Sequence, residues 1–114
     1  MNIEEFREYC LSKKDATESF PFDDVTLVFK VRGKMFALAN TDGEFSINLK
    51  CDPEKAIELR EHYSSVLPGY HMDKKHWNTI MINGFVTDEL LKEWIDDSYN
   101  LVANKLPKNT KKQI

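Results

Sequence analysis

The sequence predicts a two-layer α+β domain in which helices cover one face of a five-stranded antiparallel sheet, in the order α-β-β-β-α-β-β-α. From Val25 onward, apolar and polar residues alternate in three consecutive segments joined by short turns, which is typical of an antiparallel meander. Three other segments carry apolar residues at helical spacing. Helices with one apolar stripe each pack on one face of such a sheet and leave the other face open.

The length and composition predict a single domain. The chain has 114 residues, which is too short for two separate cores. Apolar residues make up 41% of the chain and aromatic residues 11%, enough for a packed interior. We expect one domain over residues 1–106 and a flexible, lysine-rich tail over residues 107–114.

The first helix is expected over residues 3–13. Asn2 is a suitable N-cap, and Glu5 stands where a capping box places its acid. The following segment, DATESFPF, breaks the helical pattern, and Pro21 prevents any helical continuation.

The meander begins at residue 25, and its alternation assigns side chains to the two faces of the sheet. Lys30 and Arg32 fall on the polar side of the first strand, and Val28 is the apolar exception there. Gly33 turns the chain into KMFALAN, and NTDG turns it again into EFSINLK. The apolar side of the first strand consists of Val25, Leu27, Phe29 and Val31.

The second half of the chain predicts two more helices and two more strands. Asp52 is the expected N-cap of the second helix, and Pro53 suits its first position because the amide there needs no partner. Residues 70–72 and 77–83 are the expected strands, with Gly84 ending the second of them. Thr87 is the expected N-cap of the third helix. The inward stripe of that helix is Leu91, Trp94, Ile95, Ser98 and Val102.

Cysteine usage and hydropathy predict a cytoplasmic protein without a membrane partner. Cys10 and Cys51 fit no metal-ligand spacing, so we expect free thiols in a reducing compartment and no metal or other cofactor. The N-terminus carries acids where a secretory signal needs positive charge. The apolar runs fall far short of the roughly 20 residues that cross a bilayer.

The charge distribution is uneven. The formal net charge is −3, yet the C-terminal segment KLPKNTKKQI holds four lysines and no acid. Residues 1–104 therefore carry 12 bases against 19 acids, a net charge of −7. Because nucleic-acid affinity comes largely from neutralised phosphates, binding of DNA would need a local basic surface.

Three segments of the chain resemble the MmcQ/YjbR family: DATESFPF, NLKCDPEKAIELRE and PGYHMDKKHWNTI. The resemblance extends from the first helix to the third and stops before the lysine-rich tail. It implies a compact α+β fold related in shape to secretion-chaperone-like folds. It also implies DNA binding through a double-wing arrangement, and it brings no set of catalytic residues.

Two predicted hairpin tips are basic and match the idea of wings. They are KVRGK and MDKKHW, and the alternation turns Lys50 and Trp77 toward the same open face. Cations there would contact phosphates, His76 would assist, and Trp77 would stack on an unpaired base. The predicted nucleic-acid contacts are Lys30, Arg32, Lys34, Lys50, Lys74, Lys75, His76 and Trp77.

The same residues also fit other interpretations. Lysines at hairpin tips prevent pairing with another chain, and Trp77 would be a lid of the core if a bulge reversed the phase of its strand. The competing function is a protein-interaction module, which binds a protein partner or a second copy through the same sheet face. Exposed Val28, Met81 and Trp77 would suit such an interface.

An enzymatic role is not expected. His71 and His76 lie five residues apart, which matches no zinc signature, and no nucleophile or phosphate-binding motif accompanies them. Cys51 at a helix start could have a lowered pKa, although such a cysteine is more often a small buried apolar residue. We therefore predict no catalytic residues, and the less favoured alternative is an uncharacterised site where a strand–turn–strand brings His71 and His76 together near Asp73.

Overall fold

The computed structural model describes residues 1–70 and 72–105, and it confirms an α+β fold with three helices and an antiparallel sheet. The helices are α1 (Ile3–Leu11), α2 (Pro53–His62) and α3 (Asp88–Lys105). The strands are β1 (Ala16–Ser19), β2 (Thr26–Val31), β3 (Lys34–Asn40), β4 (Ser46–Lys50), β5 (Val66–Pro68) and β6 (Trp77–Met81). His71 and the predicted tail over residues 107–114 lie outside the described residues.

The predicted helix starts are confirmed by their capping contacts. The Glu5 amide donates to Asn2 Oδ1 at 2.8 Å, and the Asn2 amide donates to Glu5 Oε1 at 2.9 Å, which completes a capping box. Asp52 and Thr87 each accept a hydrogen bond from a backbone amide in the first turn of α2 and α3.

The sheet has the strand order β1-β2-β3-β4-β6-β5, and every neighbouring pair is antiparallel. α3 packs on β2, β3 and β4, while α1 packs on β1 and α2 packs on β5 and β6. The predicted inward stripe of α3 is confirmed, since all five of its residues are buried. None of the helices in the described ranges is long and apolar enough to cross a membrane.

The sheet has six strands instead of the predicted five, because residues 16–19 form β1. Asp15 has a φ of 63°, a left-handed conformation that redirects the chain after α1. The backbone then pairs with β2, from Ala16 opposite Val31 to Ser19 opposite Val28. Because β1 contains no branched apolar residue, its sequence shows no alternation of apolar and polar residues.

The strand predicted over residues 70–72 lies earlier, at β5. Val66 pairs with Ile80, and Pro68 pairs with Asn78 of β6. β5 is at the edge of the sheet, where a proline that lacks an amide proton interrupts no ladder. The last strand is also shorter than predicted and ends at Met81.

Gly69, directly after β5, passes unusually close to β6. Its amide donates to the carbonyl oxygen of Trp77 at 2.9 Å. A Cβ atom at this position would lie 2.8 Å from the Cβ of Trp77, closer than real Cβ contacts. A glycine is therefore needed here for space.

A bulge and a buried serine join α3 to the sheet. The register of β2 and β3 shifts between Phe29 and Lys30, which leaves Phe36 as the extra residue of β3. Ser98 of α3 donates its hydroxyl to the Phe36 carbonyl oxygen at 2.5 Å and accepts from the Lys50 amide at 2.8 Å. One helical side chain thus bonds to both central strands.

Candidate binding groove on the open sheet face

The open face presents three rows of side chains that run across the strands. Directly paired residues of antiparallel strands point to the same face, so the register assigns the members of each row. The rows are Thr26, Asn40, Ser46 and Met81; then Val28, Leu38, Asn48 and Thr79; then Lys30, Met35, Lys50 and Trp77.

A groove of about 990 Å³ lies on this face, and we call it the open-face groove. Leu38, Asn48 and Thr79 contribute to its floor. One wall is the loop before β2, with Phe22 and Asp23, and the other is formed by Leu67, Pro68, Tyr70, Met72 and Asp73. The described lining residues are Phe22, Asp23, Thr26, Met35, Leu38, Ala39, Asn40, Glu44, Ser46, Asn48, Leu67, Pro68, Tyr70, Met72, Asp73, Thr79 and Met81.

The second wall is attached to the floor by a short chain of hydrogen bonds. The Tyr70 amide donates to Thr79 Oγ1 at 2.9 Å, and that hydroxyl donates to Asn48 Oδ1 at 2.6 Å. The rings at the two walls are nevertheless open to solvent, with Tyr70 69% exposed and Phe22 64% exposed. The groove therefore combines a fixed floor with accessible apolar walls.

The groove is acidic. Its lining includes the carboxylates of Asp23, Glu44 and Asp73, and none of its described lining residues is a lysine, arginine or histidine. Hydrogen bonds from the backbone amides of Val25 and Thr26 lower the pKa of Asp23. That carboxylate is held in place and ionised at neutral pH.

Trp77 points to the open side but is only 7% exposed, so the prediction that its ring is available for stacking is wrong. It forms a second apolar cluster with Val28 and Leu38, and Met35 and Met72 pack against this cluster. Val28, which the sequence also placed on an exposed interface, is completely buried there. The open face thus has a small core of its own beside the groove.

Two of the predicted cations meet in a smaller depression, which we call the lysine cleft. Lys34, Lys50 and Lys105 line about 400 Å³ of space together with Met35, Trp77 and Val102. Within residues 1–70 and 72–105, none of these three lysines forms a salt bridge. Lys105 was not among the predicted contacts.

Arg32 does not join the open face as predicted. It occupies the turn between β2 and β3 with a φ of 47°, and its guanidinium donates to the Ala103 carbonyl oxygen at 3.2 Å. A cation at this place satisfies a carbonyl in the last turn of α3 and complements the negative end of the helix dipole. Its position is therefore explained by the helix it contacts.

The second predicted hairpin tip, MDKKHW, is held by contacts between residues of its own loop. Lys74 Nζ donates to the Gly69 carbonyl oxygen at 3.2 Å, whereas Lys75 is exposed. His76 Nδ1 lies 2.6 Å from Asp73 Oδ2, and this hydrogen bond is the main reason that the pKa of Asp73 is lowered. Lys74 and His76 therefore have structural partners.

Cys10 is a buried thiol and Cys51 is a half-buried one. Burial raises the pKa of Cys51 to about 11, opposite to the lowering that its place at a helix start suggested, and it raises the pKa of Cys10 further. Neither thiol is a thiolate at neutral pH. Across the part of the chain that the structure describes, no three histidine, cysteine or acidic residues are grouped to hold a metal ion.

The YjbR family model matches residues 11–101 of the chain. The chain belongs to the YjbR family. The resemblance to the MmcQ/YjbR family predicted from the sequence is thereby confirmed, and the matched YjbR segment contains every described lining residue of the open-face groove.

Relatives agree with the YjbR assignment over most of the chain. The Escherichia coli K12 protein YjbR is 33% identical over 113 residues, which is 98% of this chain and 96% of that protein. The protein YbdF of Escherichia coli O157:H7 is 41% identical over 96 residues, 83% of this chain and 79% of YbdF. The crystal structure of the Deinococcus radiodurans protein DR2400, with a DUF419 domain, has a TM-score of 0.89 and 42% identity, covering 94% of this chain and 83% of that one.

The groove walls were missed at the sequence level. Phe22 and Tyr70 stand in irregular segments, and Leu67 lies in β5, whose three residues are too few for a periodic pattern to assign a side chain to a face. One signal in the sequence could have found the groove walls. The segments FPF and LPGY hold large apolar residues beside prolines, whereas solvent-exposed loops are usually polar.

Proposed function

We propose that this YjbR-family protein is a non-enzymatic interaction module that receives a protein partner in the open-face groove. The observation that carries the proposal is the groove itself, with about 990 Å³ of space on the face opposite the helices. Contiguous exposed apolar surface of this kind is typical of interaction sites on proteins.

The side chains of the groove suit a protein surface. Met35, Met72 and Met81 line it, and methionine adapts its flexible thioether to varied apolar shapes. Phe22 and Tyr70 stand exposed at the two walls. Aromatic residues and methionine are enriched at the centres of protein interfaces.

An uncharged apolar fluorescent dye such as Nile red tests whether the groove binds apolar groups. We expect the folded protein to bind the dye, and Phe22→Ser and Leu67→Ser each to weaken binding, because both remove apolar surface from the walls. Phe85→Ser is the matched control, since Phe85 is 80% exposed and does not line the groove. Equal losses in all three variants, or no dye binding, would contradict the proposal.

DNA binding is a second candidate function, and the lysine cleft favours it. Lys34 at the β2–β3 turn and Lys50 at the end of β4 come together beside Trp77, the first residue of β6. The two basic tips predicted as wings therefore lie at one end of the sheet. Phosphate contacts would come from this end, without stacking by Trp77.

A salt titration separates the two functions. Affinity for duplex DNA should fall with log salt by about 0.9 units per phosphate contacted, whereas an apolar protein interface should respond little. Replacing Lys34 and Lys50 by alanine should reduce that slope by about two units. The pair Lys74→Ala and Lys75→Ala serves as the comparison, because it tests the other tip. A shortened chain without residues 107–114 removes the contribution of Lys108, Lys111 and Lys112.

A further inference from the structure

We propose that the groove receives an amphipathic helix of the partner, one that carries lysine or arginine beside its apolar stripe. This inference rests on the proposed function and names the class of element that the groove binds. The helix would lie along β3 and β4, with its stripe against Met35, Leu38 and Met81.

The dimensions of the open face suit a helix. β3 has seven residues, so the floor is about 20 to 23 Å long at 3.3 Å per residue. A helix covers that length with about 14 residues. The width of the sheet from β2 to β6 is three strand spacings, or about 14 Å. This width accommodates a helix of about 10 to 12 Å diameter.

Addition of a partner strand to a sheet edge is the less suitable mode. β5 has three residues and ends in Pro68, while β1 has four residues and carries Glu18, which pairs with Arg7. Short edges, proline and charged side chains all oppose strand pairing. A partner is therefore directed to the face of the sheet.

Charge complementarity selects a basic helix. Asp23 and Glu44 lie at the end of the groove where Thr26 pairs with Asn40, and Asp73 lies in the second wall. No lysine, arginine or histidine stands among the described lining residues, so the charged groups that line the groove for a lysine or arginine of the incoming helix are carboxylates. Like-charged partners would be rejected at the same positions.

Two of these carboxylates are fixed before any partner arrives. Asp23 accepts hydrogen bonds from the Val25 amide at 3.0 Å and the Thr26 amide at 2.7 Å. Asp73 accepts from the Lys75 amide at 2.9 Å and contacts His76. Groups that are ordered in advance lose little conformational entropy on binding, so they favour a defined position for the cationic side chains.

Labelled synthetic peptides test the inference by fluorescence anisotropy with the full-length protein. The first peptide has about 14 residues, leucine at helical i, i+3, i+4 and i+7 positions, and lysine beside this stripe. The second carries glutamate in place of each lysine, and the third has a central proline. We expect the lysine peptide to bind at least about tenfold more tightly than the glutamate peptide, and the proline peptide to bind weakly.

Protein variants locate the binding. Glu44→Gln should weaken binding of the lysine peptide by about two- to fivefold, the range of a solvent-exposed charge pair. Asp42→Asn is the matched control, because Asp42 is exposed in the same turn but does not line the groove. Phe22→Ser should weaken binding of both helical peptides.

The outcomes separate this inference from the proposed function. Equal binding of the lysine and glutamate peptides, sensitive to Phe22→Ser, would overturn the basic helix and leave the apolar groove in place. Binding of the proline peptide as tight as the helical one would overturn the helix. Self-association that Phe22→Ser abolishes would make a second copy of the chain the occupant. No binding of any peptide, together with no dye binding, would overturn the proposed function itself.

Discussion

The two faces of the sheet are built from different side chains, although they share the same six strands. On the covered face, Phe29, Ile47 and Ile80 are at most 2% exposed and belong to one cluster with residues of the helices. On the open face, apolar residues alternate with Asn48, Thr79 and lysines, and a groove remains. Stability and binding are therefore expected to separate, with substitutions on the covered face destabilising the protein and those of exposed side chains at the groove walls changing only what it binds.

Trp77→Ala is the strongest challenge to this comparison, because it removes a buried side chain from the open face. Truncation of a buried tryptophan typically costs about 3 to 5 kcal/mol of unfolding free energy, and we expect a loss of this size. Urea denaturation measures it. Phe22→Ala, at an exposed position of the groove wall, should change stability by less than about 0.5 kcal/mol. Similar values for the two variants would mean that Trp77 is not part of a core.

Ser98→Ala tests the attachment of α3 to the covered face. The substitution removes the partner of the Phe36 carbonyl oxygen and of the Lys50 amide, so we expect a loss of about 1 to 3 kcal/mol. Ser46→Ala is the control on the open face and should have little effect. A neutral Ser98→Ala would show that these two hydrogen bonds contribute little to stability.

Gly69→Ala tests the close approach between the second groove wall and β6. The added methyl group meets Trp77, and overpacking of this kind costs about 1 to 3 kcal/mol. Ser64→Ala, at an exposed neighbouring position, is the control. If Gly69→Ala left stability unchanged but weakened dye binding, the wall would be movable without disturbing the sheet.

The smallest expected effect is on the ionisation of Asp73 in the groove wall. Its pKa lies below the ordinary value of 3.8, first because of the hydrogen bond with His76. A carboxyl whose pKa is lower in the folded state contributes stability above its unfolded pKa and loses it as the pH falls through the folded pKa. A carbon-detected NMR titration should therefore place the midpoint of Asp73 below 3.8, and His76→Ala should raise it. An unchanged midpoint would remove His76 as the cause.

The sequence predicted the covered face well because local rules determine it. The caps at Asn2, Asp52 and Thr87 are contacts within one turn, so residue type and spacing reveal them. The inward stripe of α3 follows from helical periodicity alone. β1 was missed because its side chains show no alternating pattern, and its strand conformation depends on pairing with β2.

The open face was predicted less well because its properties depend on contacts between distant residues. Arg32 contacts Ala103, 71 residues away, and this contact takes it out of the predicted basic surface. The alternation placed Trp77 on the correct side, but Met35 and Met72, which pack against its cluster, come from a different strand and from a loop. Lys105 joined Lys34 and Lys50 only through the packing of α3.

The Lys50 amide has an unusual position among the backbone amides of β4, since its hydrogen-bond acceptor is a helical side chain. Its exchange with deuterium therefore reports on the contact between α3 and the sheet, even if the strands stay paired. If a ligand in the open-face groove slowed exchange of the Lys50 amide, binding on one face of the sheet would stabilise the packing of α3 on the other face. A single amide would then report the binding from the covered side.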